Sequence, residues 1–316
     1  MRGKASRPGD EEMRMADTGK APDQPQRAIG IIGLGIMGGA MASNLVAGGW
    51  RVIGYDVDSA ALEAARHRGV EVVDGPAAVA AAASDIITSL PSGEAAIATA
   101  KSIAAAAAAR TVLLEMSTLS LEDKHAVARA LARRGHIALD CPLSGTGAQA
   151  QTKDLVVYAS GHSPDIERLA PLFLGLGRRY FNLGAYGNAT KMKFVANLLV
   201  AIHNVASAEA MVLGMKAGLE PHQIVEVIAA GAGTSRVFEL RAPMMAENRY
   251  EPASMRCAIW QKDMAVIGAF AAGLDCPTPL FSASDAIYRA GLARGLGPQD
   301  TASVCTVLEG MAGITR

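Results

Sequence analysis

Residues 28–38 read AIGIIGLGIMG, a short apolar run that enters three glycines spaced G-x-G-x-x-G. Few strings restrict a fold more tightly. Gly33 permits a tight turn, Gly35 lets the backbone approach a pyrophosphate, and Gly38 lets the next helix pack closely on the strand. That helix aims its free N–H groups and positive dipole end at the phosphates. Gly33, Leu34, Gly35, Ile36, Met37 and Gly38 are therefore the first candidate cofactor residues. A glycine-rich turn with no ligand could carry the same letters, and context separates the two readings. A strand precedes the glycines, a helix follows, and Asp56 ends the next strand 23 positions after Gly33. A carboxylate at that place accepts from ribose hydroxyls and repels a 2′-phosphate, so NAD is expected rather than NADP. Asp58 reads as a solvated turn residue, and Arg51, before the strand, is poorly placed to clamp a phosphate.

The strand–helix alternation continues. Strands are expected at 51–56, 85–90, 111–116 and 136–141, with 154–160 and 179–184 following, and Ala-rich helical stretches lie between the earlier ones. Such spacing favours a parallel sheet with crossover helices. After Gly187 the strand signals nearly stop. Residues 188–217 form a helical run that is apolar around most of its circumference, as a buried central helix would be. Further helices are expected at about 221–230, 235–246, 254–273, 277–294 and 298–311, with Pro221, Pro277 and Pro298 near their starts. The expected class is α/β: an N-terminal Rossmann domain over 28–187 with a mostly parallel sheet, then an all-α domain over 188–316 built on a long interdomain helix.

Residues 1–27 differ in kind. They carry Gly, Pro and charge with almost no bulky apolar side chain, so burial cannot offset the entropy of ordering them. A disordered extension is expected. It has no apolar core for a secretory signal, and Asp10, Glu11 and Glu12 are unlike an acid-poor presequence. Charge is balanced at 30 basic against 30 acidic residues, which provides no overall basic field for nucleic acid. Cys141, Cys257, Cys276 and Cys305 lie far apart without metal-ligand spacing, and read as packed, reduced thiols in a cytoplasmic protein. No metal site is expected. No apolar run reaches membrane-span length without glycine, charge or polar interruption, so no membrane partner is expected either.

The longer string GLGIMGGAMASNL (33–45) resembles the opening of the β-hydroxyacid dehydrogenase family. Five further strings match in order: SLPSG (89–93), EMSTLS (115–120), DCPLSGTGAQA (140–150), GAYGNATKMKFVAN (184–197) and WQKDM (260–264). Ordered motifs across both halves of the chain are far more specific than one glycine loop. The resemblance implies that Leu90 and Pro91 line the cofactor and that Thr118 meets it near the nicotinamide. It also implies that Ser144, Gly145 and Thr146 bind a substrate carboxylate, that Lys262 lies near the nicotinamide, and that Asp263 supports the site. Read singly, Thr118 fits a helix cap, Lys262 a solvated lysine, and 144–147 an ordinary turn.

Two lysines compete for the proton-handling role. The family pattern aligns Gly184, Gly187, Lys193 and Asn197. Helix geometry selects the same residue: Lys193 and Asn197 are four apart on one face, whereas Lys191 is turned away from Lys193 by roughly 200°. An amine in this apolar helix needs a partner or an aqueous cleft. Lys193 is the expected general acid/base and Asn197 orients it or the substrate, while Lys191 reaches solvent or a phosphate. The implied reaction moves a hydride between NAD(H) and a short hydroxy acid or its semialdehyde or keto form, as in 3-hydroxyisobutyrate dehydrogenase.

Three positions depart from the family pattern: Thr146, Lys153 and Ala189 stand where glycines are usual. They put the familiar substrates in question, and Thr146 adds bulk, a hydroxyl and an aversion to positive φ. Arg236 and Phe238 are candidates to face the cleft, whereas His203 reads as a packed histidine. Rival functions share the frame: a polyhydroxy-acid (threonate-type) dehydrogenase, an NADP-dependent semialdehyde reductase, an imine reductase, or a nucleotide-sensing interaction protein without chemistry. The length and apolarity of the 188–217 helix point to a homodimer or homotetramer.

Overall fold

A computed structural model describes residues 28–316. The expected disorder of residues 1–27 concerns a segment outside the described residues. Six strands, β1 (Ala28–Ile32), β2 (Arg51–Tyr55), β3 (Glu71–Val72), β4 (Asp85–Thr88), β5 (Val112–Glu115) and β6 (Ile137–Asp140), form one sheet. Its order is β3-β2-β1-β4-β5-β6, and every pairing is parallel. This is the doubly wound Rossmann arrangement, whose order reverses between β1 and β4 and leaves a crevice beyond their carboxyl ends. Burial on both faces explains why the central strands read as nearly continuous apolar text, such as IGII in β1 and VLL in β5.

Five crossover helices cover the sheet: α1 (Ile36–Ala47), α2 (Ser59–His67), α3 (Pro76–Ala82), α4 (Gly93–Ala106) and α5 (Leu121–Ala132). A second, three-stranded sheet follows. β7 (Leu143–Ser144) pairs antiparallel with β8 (Val156–Ala159), which pairs parallel with β9 (Arg179–Asn182). Between these strands lie α6 (Gly147–Gln151), α7 (Ser163–Arg168) and α8 (Ala170–Leu176). The sequence reading missed β3 and β7, each of two residues, because so short a run carries no periodicity.

The remainder is helical: α9 (Asn188–Lys216), α10 (Pro221–Ala229), α11 (Arg236–Ala246), α12 (Cys257–Ala272), α13 (Pro279–Ala293) and α14 (Val304–Ala312). Small side chains on α9, Ala201 and Ala208, let neighbouring helices approach, while Phe194 and Met211 fill the core with Trp260 and Phe281. Burying each such large apolar side chain contributes about 1.5–3 kcal/mol. Asn204, fully buried, is held by Tyr288 Oη and the Thr301 carbonyl at 2.8 Å each.

Several expectations need correction. Pro279, not Pro277, occupies the first turn of α13, and Pro298 lies outside the helix that begins at Val304. The helix expected from 254 starts at Cys257, since Asp300 takes the backbone N–H groups of Ser254 and Met255 into a loop. Cys276 is exposed, while the other three thiols are buried. By length and composition alone Asn188–Lys216 is long and apolar enough to cross a bilayer, although charged and polar residues such as Lys193, Asn197 and Asn204 interrupt its apolar run. Its surroundings here are the other helices of the bundle.

Candidate active site

The carboxyl ends of β1, β4 and β5 and the second sheet form one wall of a cleft of about 840 Å³, and α9, α11 and α12 close the other. Its position follows from the strand order, because loops leaving β1 and β4 must diverge where the winding reverses.

The glycine loop forms the floor. Gly33 has φ +91°, and a Cβ there would fall 2.1 Å from the Ser89 carbonyl oxygen. A Cβ on Gly38 would lie 1.8 Å from the Gly33 carbonyl oxygen, so helix and strand meet at backbone distance. Gly35 differs: nothing lies within 4 Å of a Cβ placed there. It is also the N-cap of α1, which has no side-chain cap. An open approach to uncapped N–H groups fits a pyrophosphate. Gly35, Ile36 and Met37 line the cleft, while Gly33, Leu34 and Gly38 stand behind and shape the turn. Asp56 lies beside the loop and off the cleft wall, with its carboxylate accepting from Leu34 N at 2.6 Å and Asp58 N at 2.9 Å. Arg51 pairs with Glu71 instead, and Asp58 caps α2.

Leu90, Pro91 and Thr118 line the cleft above the loop. Ser117, beside Thr118, ties two of these strand ends together. Its Oγ accepts from Leu90 N at 2.8 Å, and its own N–H donates to Glu115 Oε1 at 3.1 Å.

Ser144, Gly145 and Thr146 form the next segment of wall. Gly145 carries the positive φ, 138°, whereas Thr146 sits at −101° as the N-cap of α6. Thr146 and Gln149 form a capping box: Thr146 N donates to Gln149 Oε1, and Gln149 N to Thr146 Oγ1. The glycine-to-threonine departure is thus used locally; the Ser144 hydroxyl makes no hydrogen bond among the described residues. Lys153 does adopt the left-handed region, at φ 58°, and is exposed. Ala189 is fully buried at the start of α9, where its N–H donates to Ser160 Oγ.

Lys193 and Asn197 face the cleft from α9, joined by Lys262 and Asp263 from α12. Lys193 is 8% exposed, and its amine makes no hydrogen bond or ion pair among the described residues. Burial pushes it below the ordinary lysine value, with the Asp263 carboxylate pulling the other way. Burial raises the Asp263 carboxyl, against the fields of Lys193 and Lys262 and a 3.1 Å hydrogen bond from Asn197 Nδ2. Lys191 is exposed and reaches Asn188. Arg236 lines the cleft, but Phe238 packs into the helical core, and His203 does not reach the cleft.

A second buried lysine was not anticipated. Lys124 on α5 has no exposure and meets Glu115 at the end of β5 and, at 3.0 Å, Asp140 at the end of β6. Asp140 also accepts from Thr190 N at 2.8 Å and Thr190 Oγ1 at 2.6 Å, so the first turn of α9 is fastened to the sheet. In sequence Lys124 is one charge in LEDKH on an amphipathic helix, indistinguishable from a solvated one. Among the described residues no group of three or more His, Cys, Asp or Glu side chains could hold a metal.

Comparison with known proteins gives the family and the fold. Residues 28–184 match the family model for the NAD binding domain of 6-phosphogluconate dehydrogenase, and residues 187–308 match that for the NAD-binding of NADP-dependent 3-hydroxyisobutyrate dehydrogenase. The chain is 32% identical to 2-(hydroxymethyl)glutarate dehydrogenase of Eubacterium barkeri, over 91% of this chain and 96% of that one. It is 30% identical to L-threonate dehydrogenase of Escherichia coli K12, over 90% of this chain and 95% of that one. The solved 3-hydroxyisobutyrate dehydrogenase of Mycobacterium tuberculosis superposes with a TM-score of 0.81 at 29% identity, covering 90% of this chain and 99% of that one.

Proposed function

The chain belongs to the β-hydroxyacid dehydrogenase family, NAD(P)-dependent oxidoreductases of CH–OH groups, and from that premise we propose how its own residues divide the work. The substrate is a short hydroxy acid, or its semialdehyde or keto form, and the preferred cofactor is NAD. One observation carries this reading: Lys193, a buried amine without a partner among the described residues, shares a cleft with the open Gly35 backbone and the Ser144–Thr146 segment.

A bound nicotinamide supplies the hydride acceptor or donor. Everything else falls to side chains of this protein. In oxidation, the neutral Lys193 amine takes the proton of the substrate hydroxyl. In reduction, the same group as ammonium polarises and protonates the carbonyl oxygen. Burial favours the neutral form, so both states are accessible nearer neutrality than for a solvated lysine. Asn197 gives its N–H to Asp263 and keeps its carbonyl oxygen free to accept from the substrate hydroxyl or the amine. The Ser144 hydroxyl and neighbouring backbone hold the substrate carboxylate and fix the carbon that reacts. Asp56, poised on the glycine loop, turns toward ribose hydroxyls and disfavours a 2′-phosphate.

We extend the proposal to the assembly: a cytoplasmic homodimer or homotetramer. Met192, Val195 and Leu199 form an exposed apolar stripe on α9, which supports association, and three buried free thiols suit a reducing compartment. The test is a panel of short hydroxy acids and semialdehydes with NAD and with NADP, followed at the absorbance of reduced nicotinamide. Turnover with NAD that disappears in Lys193→Ala is expected. Tight NAD binding with no turnover on any panel member would instead favour a nucleotide-sensing role.

A further inference from the structure

The cleft holds more positive charge than the proposed chemistry uses. Lys193, Lys262, Arg178, Arg236 and Arg241 line it, against Asp154 and Asp263. Arg241 is buried and neutralised by Asp300 at 2.8 Å, and Lys193 lies in the field of Asp263. Lys262, next to Asp263 in sequence, acts on that same carboxylate, so Arg178 and Arg236 remain, from opposite walls.

Arg178 stands just before β9. Its backbone N–H donates to the Leu155 carbonyl, and its Nε meets Asp154 Oδ1 at 2.9 Å. Asp154 is braced from behind by Gln149 Nε2 at 2.9 Å, and Gln149 is the residue that completes the Thr146 capping box. Arg178 is therefore attached, through two residues, to the loop assigned to the substrate carboxylate. This ion pair employs Nε, and the terminal nitrogens make no hydrogen bond among the described residues. Arg236 enters the same cleft from α11. Its ion-pair partner among the described residues, Glu239, is three residues along the same helix and solvent-exposed, an arrangement that neutralises little. Two guanidinium groups thus line one substrate cleft, Arg178 paired with Asp154 and Arg236 with Glu239.

Resting on the reading of this cleft as a hydroxy-acid site, we infer that Arg178 and Arg236 form a second anion subsite, and that the substrate is a hydroxy acid with a second carboxylate at its far end. The terminal nitrogens of Arg178 present a planar fork that matches a carboxylate. Ser144–Thr146 takes one carboxylate, Lys193 handles the hydroxyl between, and the arginine pair takes the other. A polyhydroxy tail would leave that pair without an anion.

The test uses the intact protein with NAD present and two kinds of readout. Unreactive probes come first: glutarate should raise the thermal unfolding midpoint, and butyrate at equal concentration should not. Arg178→Gln and Arg236→Gln should abolish the glutarate shift, while Arg51→Gln, remote from the cleft, should retain it. Kinetically, hydroxy acids with two carboxylates should exceed matched monocarboxylates in kcat/KM by at least about tenfold, and either cleft variant should collapse that ratio through KM. Equal binding of glutarate and butyrate, or a glutarate shift that survives both substitutions, would overturn the inference even if hydroxy acids turn over. Tighter binding of 3-phosphonopropionate than of glutarate would overturn the carboxylate assignment. If glutarate binds through the two arginines but no hydroxy acid is oxidised, the subsite stands and the dehydrogenase reading of the cleft falls.

Discussion

Lys124 and Lys193 are both withdrawn from water, on helices whose starts lie near the same edge of the sheet, yet their surroundings drive them in opposite directions. Lys124 is enclosed by Glu115 and Asp140, and although burial works against its charge, the two carboxylates hold the amine above its ordinary value. Lys193 has only the more distant Asp263, which Asn197 already bonds, and burial prevails. The lesson concerns geometry more than depth. A cation that contacts two carboxylates is a structural fixture, whereas one that contacts none is free to trade a proton.

The comparison is most directly broken at Lys193. Lys193→Met should lower kcat by about 100- to 10,000-fold, the usual range for general acid–base catalysis. Cofactor affinity should hold, and the melting temperature should stay level or rise, because a buried amine lacking a contact partner is removed. A folded variant with near-normal kcat would refute the assignment. Lys124→Met should do the reverse in kind. It strands Glu115 and Asp140 and should cost about 3–5 kcal/mol, seen in denaturant unfolding. A variant as stable as the parent would mean the two carboxylates do not need their cation.

The pH dependence sharpens the contrast. Oxidation needs neutral Lys193, so kcat/KM should climb by up to about tenfold per pH unit through its depressed folded value, and then level off below the ordinary lysine range. Reduction should decline over the same interval. The stability contributions have opposite signs. Between its lowered folded value and its unfolded value, Lys193 binds fewer protons folded than unfolded, so its contribution improves as pH rises. The contribution of Lys124 is complete below its unfolded value and is lost as pH rises through its raised folded value. Urea titrations of Lys193→Met and Lys124→Met at several alkaline pH values would separate the two. The smallest effect is expected at Thr190. Thr190→Val deletes the 2.6 Å bond to Asp140 and should cost about 1.5–3 kcal/mol, with a modest loss of kcat. An unchanged unfolding free energy would show that the backbone bonds of Ala189 and Thr190 suffice to hold α9.

What could be read from the letters divides along similar lines. The glycine loop was legible because each glycine answers a local demand: a positive φ at Gly33, backbone contact at Gly38, open space at Gly35. Lys193 and Asn197 were legible because an amine and an amide four apart on an apolar helix must face a polar cleft or go unsolvated. Lys124 was not, since its two partners lie 9 and 16 residues away at the ends of different strands, and only sheet order brings them together. Arg178, Asp154 and Gln149 escaped for the same reason: each is an ordinary loop or helix-end residue until β8 and β9 align. Thr146 looked like a steric departure and proves to be a cap, because the strained φ belongs to Gly145.

The attachment of Thr190 to Asp140 has a further consequence for any rocking between the two halves. Lys193 lies less than one helical turn beyond that clamp, whereas Lys262 and Arg236 belong to helices without such a bond to the sheet. If the halves part to admit a ligand, this clamp keeps the first turn of α9 and the amine beside the nucleotide floor, while the rest of α9 moves with the helices packed on it.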